Sequence, residues 1–418
     1  MQRKIILPLI KHHAADAAFY WQVINGSLLS PIHMKEDLTE FNCLLLAHLD
    51  GLTEAGDLAC DEAFEKLQIF PMEGEAFVCW YLALKRMELP WIETLLKFCF
   101  AEDNVWPGVI GALATQADET FQHFAQSWLE TTDATLHWVV LEACAIRSEF
   151  PPWLNIQHWL LHNDEAIRAA ACKLLGTARH RGALPLLMRL REDSAPSVRE
   201  QAALAYFLLS PQSDDVALPL GQAMHRYLRI AEEESGLDAV IAQRDAELLV
   251  CFLGHVLPCG DPRMERIISA LPPRLSLLLI AQHGDPAYLE TALQKLDNQP
   301  LARLAYWTLC FITGLEPNTL MWHEKDMPPE WLDNEGEEKE NINDVGLHWP
   351  QADAVRAWFA QNRGNYPAGK LLLAGQEPDA AHCRALLEEG SQAQRFAASL
   401  RLLRLDPKAP YLDTRRQP

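Results

Sequence analysis

Three places in this 418-residue chain hold residue types that could do chemistry. The first is Gly364-Asn365-Tyr366-Pro367-Ala368-Gly369-Lys370-Leu371, which has the glycines and the lysine of a phosphate-cradling loop. Such a loop needs a strand before it, free backbone amides around the phosphate, and a Ser or Thr after the lysine to hold magnesium. Pro367 removes one amide, Leu371 stands in the hydroxyl position, and no strand pattern precedes, so the stretch reads as a turn between two helices. The second is His158 and His162, spaced so that one helix face could present both to a metal, with Asp164 beyond. Further ligands to complete a tetrahedral set do not suggest themselves, and the pair reads as helix capping or exposed surface. His12-His13 reads as polar surface.

The third is the cysteines at 43, 60, 79, 99, 144, 172, 251, 259, 310 and 383. None forms a Cys-x-x-Cys pair, and Cys144, Cys172, Cys251 and Cys310 lie inside apolar helical patterns, where a reduced thiol packs as a small hydrophobe. No cysteine has a neighbour that would visibly depress its pKa, and no Gly-x-Ser-x-Gly elbow occurs. The sequence therefore predicts a non-enzymatic protein with no catalytic residue, no cofactor and no metal.

The elements that would carry any surface are helices in a repeat. Leu136-His137-Trp138-Val139-Val140, Ile167-Arg168-Ala169-Ala170-Ala171 and Val198-Arg199-Glu200-Gln201-Ala202 begin 31 residues apart. Each has an aliphatic residue first, then Val140, Ala171 or Ala202 at i+4 and Ala143, Leu174 or Ala205 at i+7, which is one helix face. Stepping back once more gives Val105, Val109 and Ala112. A period of this size is that of stacked helical hairpins, so the fold class is all-α, an α-solenoid with irregular terminal caps. Asp193-Ser194-Ala195-Pro196-Ser197 supplies the cap-forming residues and proline of a helix start. Arg168 and Arg199, one period apart, are expected to make repeated contacts with carboxylates between units.

The chain then divides into an amino-terminal helical cap over 1–74, the repeat solenoid over 75–314, an acidic insertion over 315–350 and carboxy-terminal helical repeats over 351–418. Leu371-to-Gly375, Pro378-to-Leu387 and Ser391-to-Leu403 read as a weaker helix-turn-helix echo of the repeat. The insertion holds ten acidic residues against Lys325 and Lys339, and its core, with Glu335, Glu337, Glu338 and Glu340, reads as a mobile loop. Trp322, Trp331 and Trp349 flank it and should pin its ends. The formal net charge of −21 argues against a nucleic-acid groove and suits a cationic protein partner. The apolar run near Lys4-to-Ile10 is too short for an export signal or a membrane span, so a cytoplasmic chain with no membrane partner is expected.

The units 163–209 and 277–314 resemble short HEAT repeats of the phycobilin-lyase-like kind, with Val-Arg or Ile-Arg opening the second helix and a Gly-Asp-Pro-like turn. The order Phe311-Ile312-Thr313-Gly314-Leu315, acidic insert, Trp358 in Ala-Trp-Phe-Ala-Gln-Asn-Arg-Gly, Leu371-to-Gly375 and Gly390-to-Arg395 is similar to an uncharacterised Gram-negative HEAT-repeat family. Members of that family are met among type VI secretion genes. The resemblance implies an adaptor or chaperone for a secreted effector encoded nearby, and offers no catalytic motif. An immunity protein that blocks a toxin and a HEAT-like DNA-repair enzyme are the alternatives. The expected docking strip is the inner curve lined by second helices, where Trp138, Ala169 and Glu200 are equivalent, as are Glu142, Lys173 and Leu204. Trp138, Glu142, Lys173 and Glu200, with the four insertion glutamates, are the candidate partner-binding residues.

Overall fold

The computed structural model describes residues 6–213, 215–323 and 344–416. Among them the chain forms 21 α-helices and no strand beyond two isolated bridges, the all-α solenoid expected from the repeat. The helices gather into two compact units, one of residues 1–28, 36–209 and 415–418, the other of 29–35 and 210–414. The division after Leu209 falls inside the run read from sequence as a single solenoid, at the point where the 31-residue register fades.

The amino-terminal unit contains α1 (Leu7–Gly26), α2 (Lys35–Ala55), α3 (Asp57–Ile69), α4 (Glu73–Arg86), α5 (Leu89–Cys99) and α6 (Trp106–Thr115). It continues with α7 (Asp118–Leu129), α8 (Ala134–Arg147), α9 (Ile156–Leu160), α10 (Glu165–Thr177), α11 (Leu184–Leu190) and α12 (Pro196–Leu209). Helices α4, α6, α8, α10 and α12 pack each on the next as one row, and α3, α5, α7, α9 and α11 pack against members of that row. The register residues are its core: Val105, Val109, Ala112, Leu136, Val140, Ala143, Ile167, Ala171, Leu174, Val198, Ala202 and Ala205 are all buried. Small residues set the spacing, because a Cβ on Gly176 would lie 2.6 Å from the Cα of Ala205, and one on Gly108 only 2.0 Å from the carbonyl of Glu73.

Helix starts in the row are capped in register. Asp133 accepts from the amides of Thr135 and Leu136, and Asp164 from those of Ala166 and Ile167. The next equivalent position is Ala195, which has no side-chain acceptor, and Asp193 bonds the Ala195 amide instead at 2.8 Å. Each cap satisfies amides that have no intrahelical partner. Asp164→Ala should cost about 1 kcal/mol in urea unfolding and Asp164→Asn almost nothing, since Asn caps as well as Asp.

Helix α1 lies outside the repeat register and covers the row at its beginning. Trp21 stacks on Phe77 at 4.9 Å, and its ring fills the space above Gly111. Gly111 is the α6 equivalent of Glu142 and Lys173, so on α6 this register position is covered by Trp21.

The carboxy-terminal unit contains α13 (Ala217–Glu233), α14 (Leu237–Val256), α15 (Arg263–Ala270), α16 (Pro273–His283), α17 (Leu289–Leu293) and α18 (Gln299–Thr313). After the insertion come α19 (Ala352–Asn362), α20 (Ala380–Glu389) and α21 (Gln392–Leu405). Here α14, α16 and α18 form the packed row, and α21 lies against α20 and α14. The ends of the insertion are joined, as the sequence suggested for Trp322 and Trp349: the Trp322 amide donates to the Trp349 carbonyl at 2.8 Å and Arg303 lies over the Trp349 ring at 4.0 Å. Residues 324–343, with Trp331, Glu335, Glu337, Glu338 and Glu340, lie outside the described residues.

The segment 371–375 differs from the sequence reading. It is not helical: it runs into a turn at Ala374 and Gly375, both at positive φ, and its amides meet carbonyls that helix ends leave unsatisfied: Leu372 donates to Gly284 at 2.8 Å, Ala374 to Phe311 at 2.8 Å and Gly375 to Ile312 at 2.9 Å. Gly284 and Gly314, with φ of 80° and 71°, end α16 and α18 in the left-handed conformation, and a Cβ on either would strike a backbone carbonyl of this segment.

Candidate functional site

The clearest repeated side-chain geometry belongs to the second residue of each register segment. His137 Nε2 bonds the carbonyl of Thr131 at 2.9 Å, Arg168 Nη1 donates to His162 at 2.8 Å, and Arg199 Nη1 donates to Asp193 at 2.7 Å. In each case the acceptor lies six residues back, so the side chain fastens the turn before its own helix. Arg168 also reaches forward: its Nε and Nη2 grip both oxygens of Asp193 at 3.0 and 2.8 Å, joining one hairpin to the next. Both side chains are largely buried, and the paired guanidinium holds the Asp193 carboxyl below its ordinary range. The expected contact between hairpins through a carboxylate is thus made by Arg168. Arg199 donates to the carbonyls of Asp193 and Ser194. A parallel fastening is made by Arg147, which donates to the carbonyls of Ala114 and Gln116 at the end of α6 and lies 4.5 Å over Phe121. These residues hold hairpins together.

The candidate docking residues lie on α8, α10 and α12 of the row. Trp138 on α8 is half-buried against the core. Glu142 on α8 and Lys173 on α10, equivalent in register, meet each other at 2.6 Å, with Lys173 the more exposed partner. Glu142 is largely buried, at 15% side-chain exposure, so of this pair it is mainly the Lys173 end that reaches the surface. Glu200 on α12 is only 6% exposed and sits inside the packing beside Gln201, whose amide donates to it at 3.2 Å. Of the four candidates on the row, Trp138, Glu142 and Lys173 are thus partly exposed and Glu200 is buried.

Two features read from sequence are structural. His162 Nδ1 accepts the Asp164 amide at 3.1 Å, closing the turn before α10, and its ring is 6.5 Å from that of His158. The phosphate-loop look-alike is the connection after α19. Its Gly369 amide donates to Asp285 Oδ1 at 2.9 Å, and Lys370 pairs with Glu377 at 3.5 Å on the surface.

One cluster was not found from sequence. Cys259, His283 and Asp285 each place a possible ligand atom within 4.8 Å of the other two. Cys259 follows α14, His283 ends α16 and Asp285 caps the next turn, so the elements that deliver them are neighbouring helix ends. Burial pushes the Cys259 thiol up to about 11, against the pull of Arg401 and Arg404, and burial also lowers the His283 imidazole. Arg401 on α21 donates to the carbonyls of Gln282 at 2.8 Å and His283 at 3.1 Å and so fixes the end of α16. A signal was present in the chain: Cys259-Gly260-Asp261-Pro262 and His283-Gly284-Asp285-Pro286 are two copies of one turn, each with cysteine or histidine before Gly-Asp-Pro. Single-residue spacing rules pass over it because the ligands come from two such turns.

All ten cysteines are free thiols. Among the described residues no helix is long and apolar enough to cross a membrane. No curated protein and no solved structure gave a match to the chain. A family model of HEAT repeats matches residues 155–219, which span α9 to α12 and the clean part of the register. The match places HEAT-type repeats over 155–219, within the stacked hairpins of an all-α solenoid.

Proposed function

We propose that this chain is a non-enzymatic, protein-binding scaffold that acts as an adaptor or chaperone for a secreted effector encoded nearby. The observation that carries the reading is the row α8–α10–α12. Its buried positions keep their chemistry at every repeat, while Trp138, Glu142 and Lys173 vary at partly exposed positions of the same helices. HEAT repeats commonly serve protein interaction, and stacked repeats build extended binding surfaces. A half-buried tryptophan beside opposite charges is the composition of an interface anchor with a polar rim. The net charge of −21 favours a cationic client through long-range attraction. The free, mostly buried thiols suit a reducing compartment such as the cytoplasm.

The test is co-expression with the product of each neighbouring gene, affinity capture, and measurement of Kd on the purified pair. Trp138→Ala should raise Kd about 30-fold, the loss expected of a central aromatic anchor. A complex whose Kd is unchanged by Trp138→Ala, with the variant folded as the parent, would move the docking surface elsewhere. Failure of every neighbouring product to bind would remove the adaptor reading.

A further inference from the structure

Three side chains around the ends of α14 and α16 are arranged for a ligand that the scaffold reading does not need. His283 is fully buried and its Nδ1 faces the Gly254 carbonyl at 3.2 Å, so Nδ1 carries the proton and donates. That leaves Nε2 with a lone pair, and this atom is buried with no hydrogen-bond partner. Asp285 is 1% exposed. Its Oδ1 accepts from the amides of Ala287 and Gly369, both at 2.9 Å, while its Oδ2 is buried without a partner. A buried acceptor left unsatisfied costs on the order of 1–3 kcal/mol, and more for a charged one. Two such atoms, in residues that share a cluster with a thiol, are unusual unless a positive ion completes them.

We propose that Cys259, His283 and Asp285 bind one Zn²⁺ ion through Sγ, Nε2 and Oδ2, with water in a fourth position. Sulfur, imidazole nitrogen and carboxylate oxygen are the three ligand types zinc accepts, and three protein ligands leave one tetrahedral corner open. The outer bonds are those a metal site needs: Nδ1–H to a backbone carbonyl orients the ring, and two amides hold the carboxylate by its other oxygen. A cysteine–histidine–aspartate triad is the other chemistry these residues could perform. It requires the acid to hold Nδ1 of the histidine, and here Gly254 holds it. Binding releases the Cys259 thiol proton to solvent, and the thiolate with the Asp285 carboxylate balances the charge of the ion. The ion would clamp the turn after α14 to the turn after α16, fastening two helix ends of the row.

The probe is Zn²⁺ itself, with Co²⁺ as its spectroscopic substitute, added to the full chain after chelation. One equivalent of zinc per chain is expected, with a rise in Tm, and cobalt should give a thiolate-to-metal charge-transfer band in the near ultraviolet. Cys259→Ala should abolish that band and weaken zinc binding at least about 100-fold. Asp285→Asn keeps an oxygen for the Ala287 and Gly369 amides, so its fold should survive while its zinc affinity falls at least about tenfold. Circular dichroism confirms that each variant is folded. Metal bound with no charge-transfer band from cobalt, binding unchanged in the folded variants, or no stoichiometric binding would each overturn the proposal. None of these outcomes bears on client docking at α8–α12, which is measured separately.

Discussion

Gly108→Ala should destabilise the amino-terminal unit by about 3 kcal/mol, at the upper end of what one added methyl costs in a packed core. Elsewhere in a helix this substitution helps, because alanine exceeds glycine in propensity by about 1 kcal/mol. At Gly108 the new Cβ would sit 2.0 Å from the Glu73 carbonyl and 2.7 Å from the Phe77 amide nitrogen. Both obstacles are backbone, so no side chain can rotate away and α6 must move off α4. Gly221 on α13 supplies the opposite case, with nothing within 4 Å of its added Cβ. Gly221→Ala should therefore stabilise its unit, by about 0.5–1 kcal/mol. Urea unfolding of the two variants beside the parent checks both signs, and a neutral Gly108→Ala would mean that α4 and α6 do not approach as closely as described.

Arg168→Ala should cost about 3 kcal/mol, toward the lower end for breaking a buried ion pair because a little of each partner remains exposed. The loss has three parts: the two-pronged grip on Asp193, the bonds to the His162 and Asn163 carbonyls, and a largely buried carboxylate left without its guanidinium. Lysine should not rescue it, since one ammonium cannot span both carboxylate oxygens and the carbonyls. The pair also gives stability a pH dependence. Asp193 has a lowered folded pKa, so its contribution is complete above the unfolded value of about 3.9 and is lost as pH falls through the folded one. Stability measured from pH 6 down to about pH 2 should drop more steeply in the parent than in Asp193→Asn, and parallel curves would argue against the pairing.

How far the chain could be read in advance depended on whether a feature was periodic. The row α6–α12 was legible because Val105, Leu136, Ile167 and Val198 repeat one buried helix face at constant spacing. The role of Arg168 was half legible, since its spacing from Arg199 suggested a repeated contact, while Asp193 as its partner depends on how far one hairpin turns against the next. Long-range pairings were not legible. The run at Leu371-to-Gly375 has the composition of a helix, and only the carbonyls of Gly284, Phe311 and Ile312, far away in sequence, make a non-helical form better. Glu200 looked like surface by register, yet packing around α12 buries it. Cys259, His283 and Asp285 escaped for the same reason as the 371–375 run: the cluster exists only once two helix ends lie together.

The docking claim can be tested by placing a photo-crosslinking amino acid at one position at a time. Trp138 on α8 and Met188 on α11 are suitable sites, the second being 48% exposed on the opposite layer of the same unit. With a co-expressed client bound, light should give a covalent adduct from position 138 and none from 188. An adduct from 188 alone, or from neither site while the complex forms, would contradict the assignment of α8–α10–α12 as the binding face.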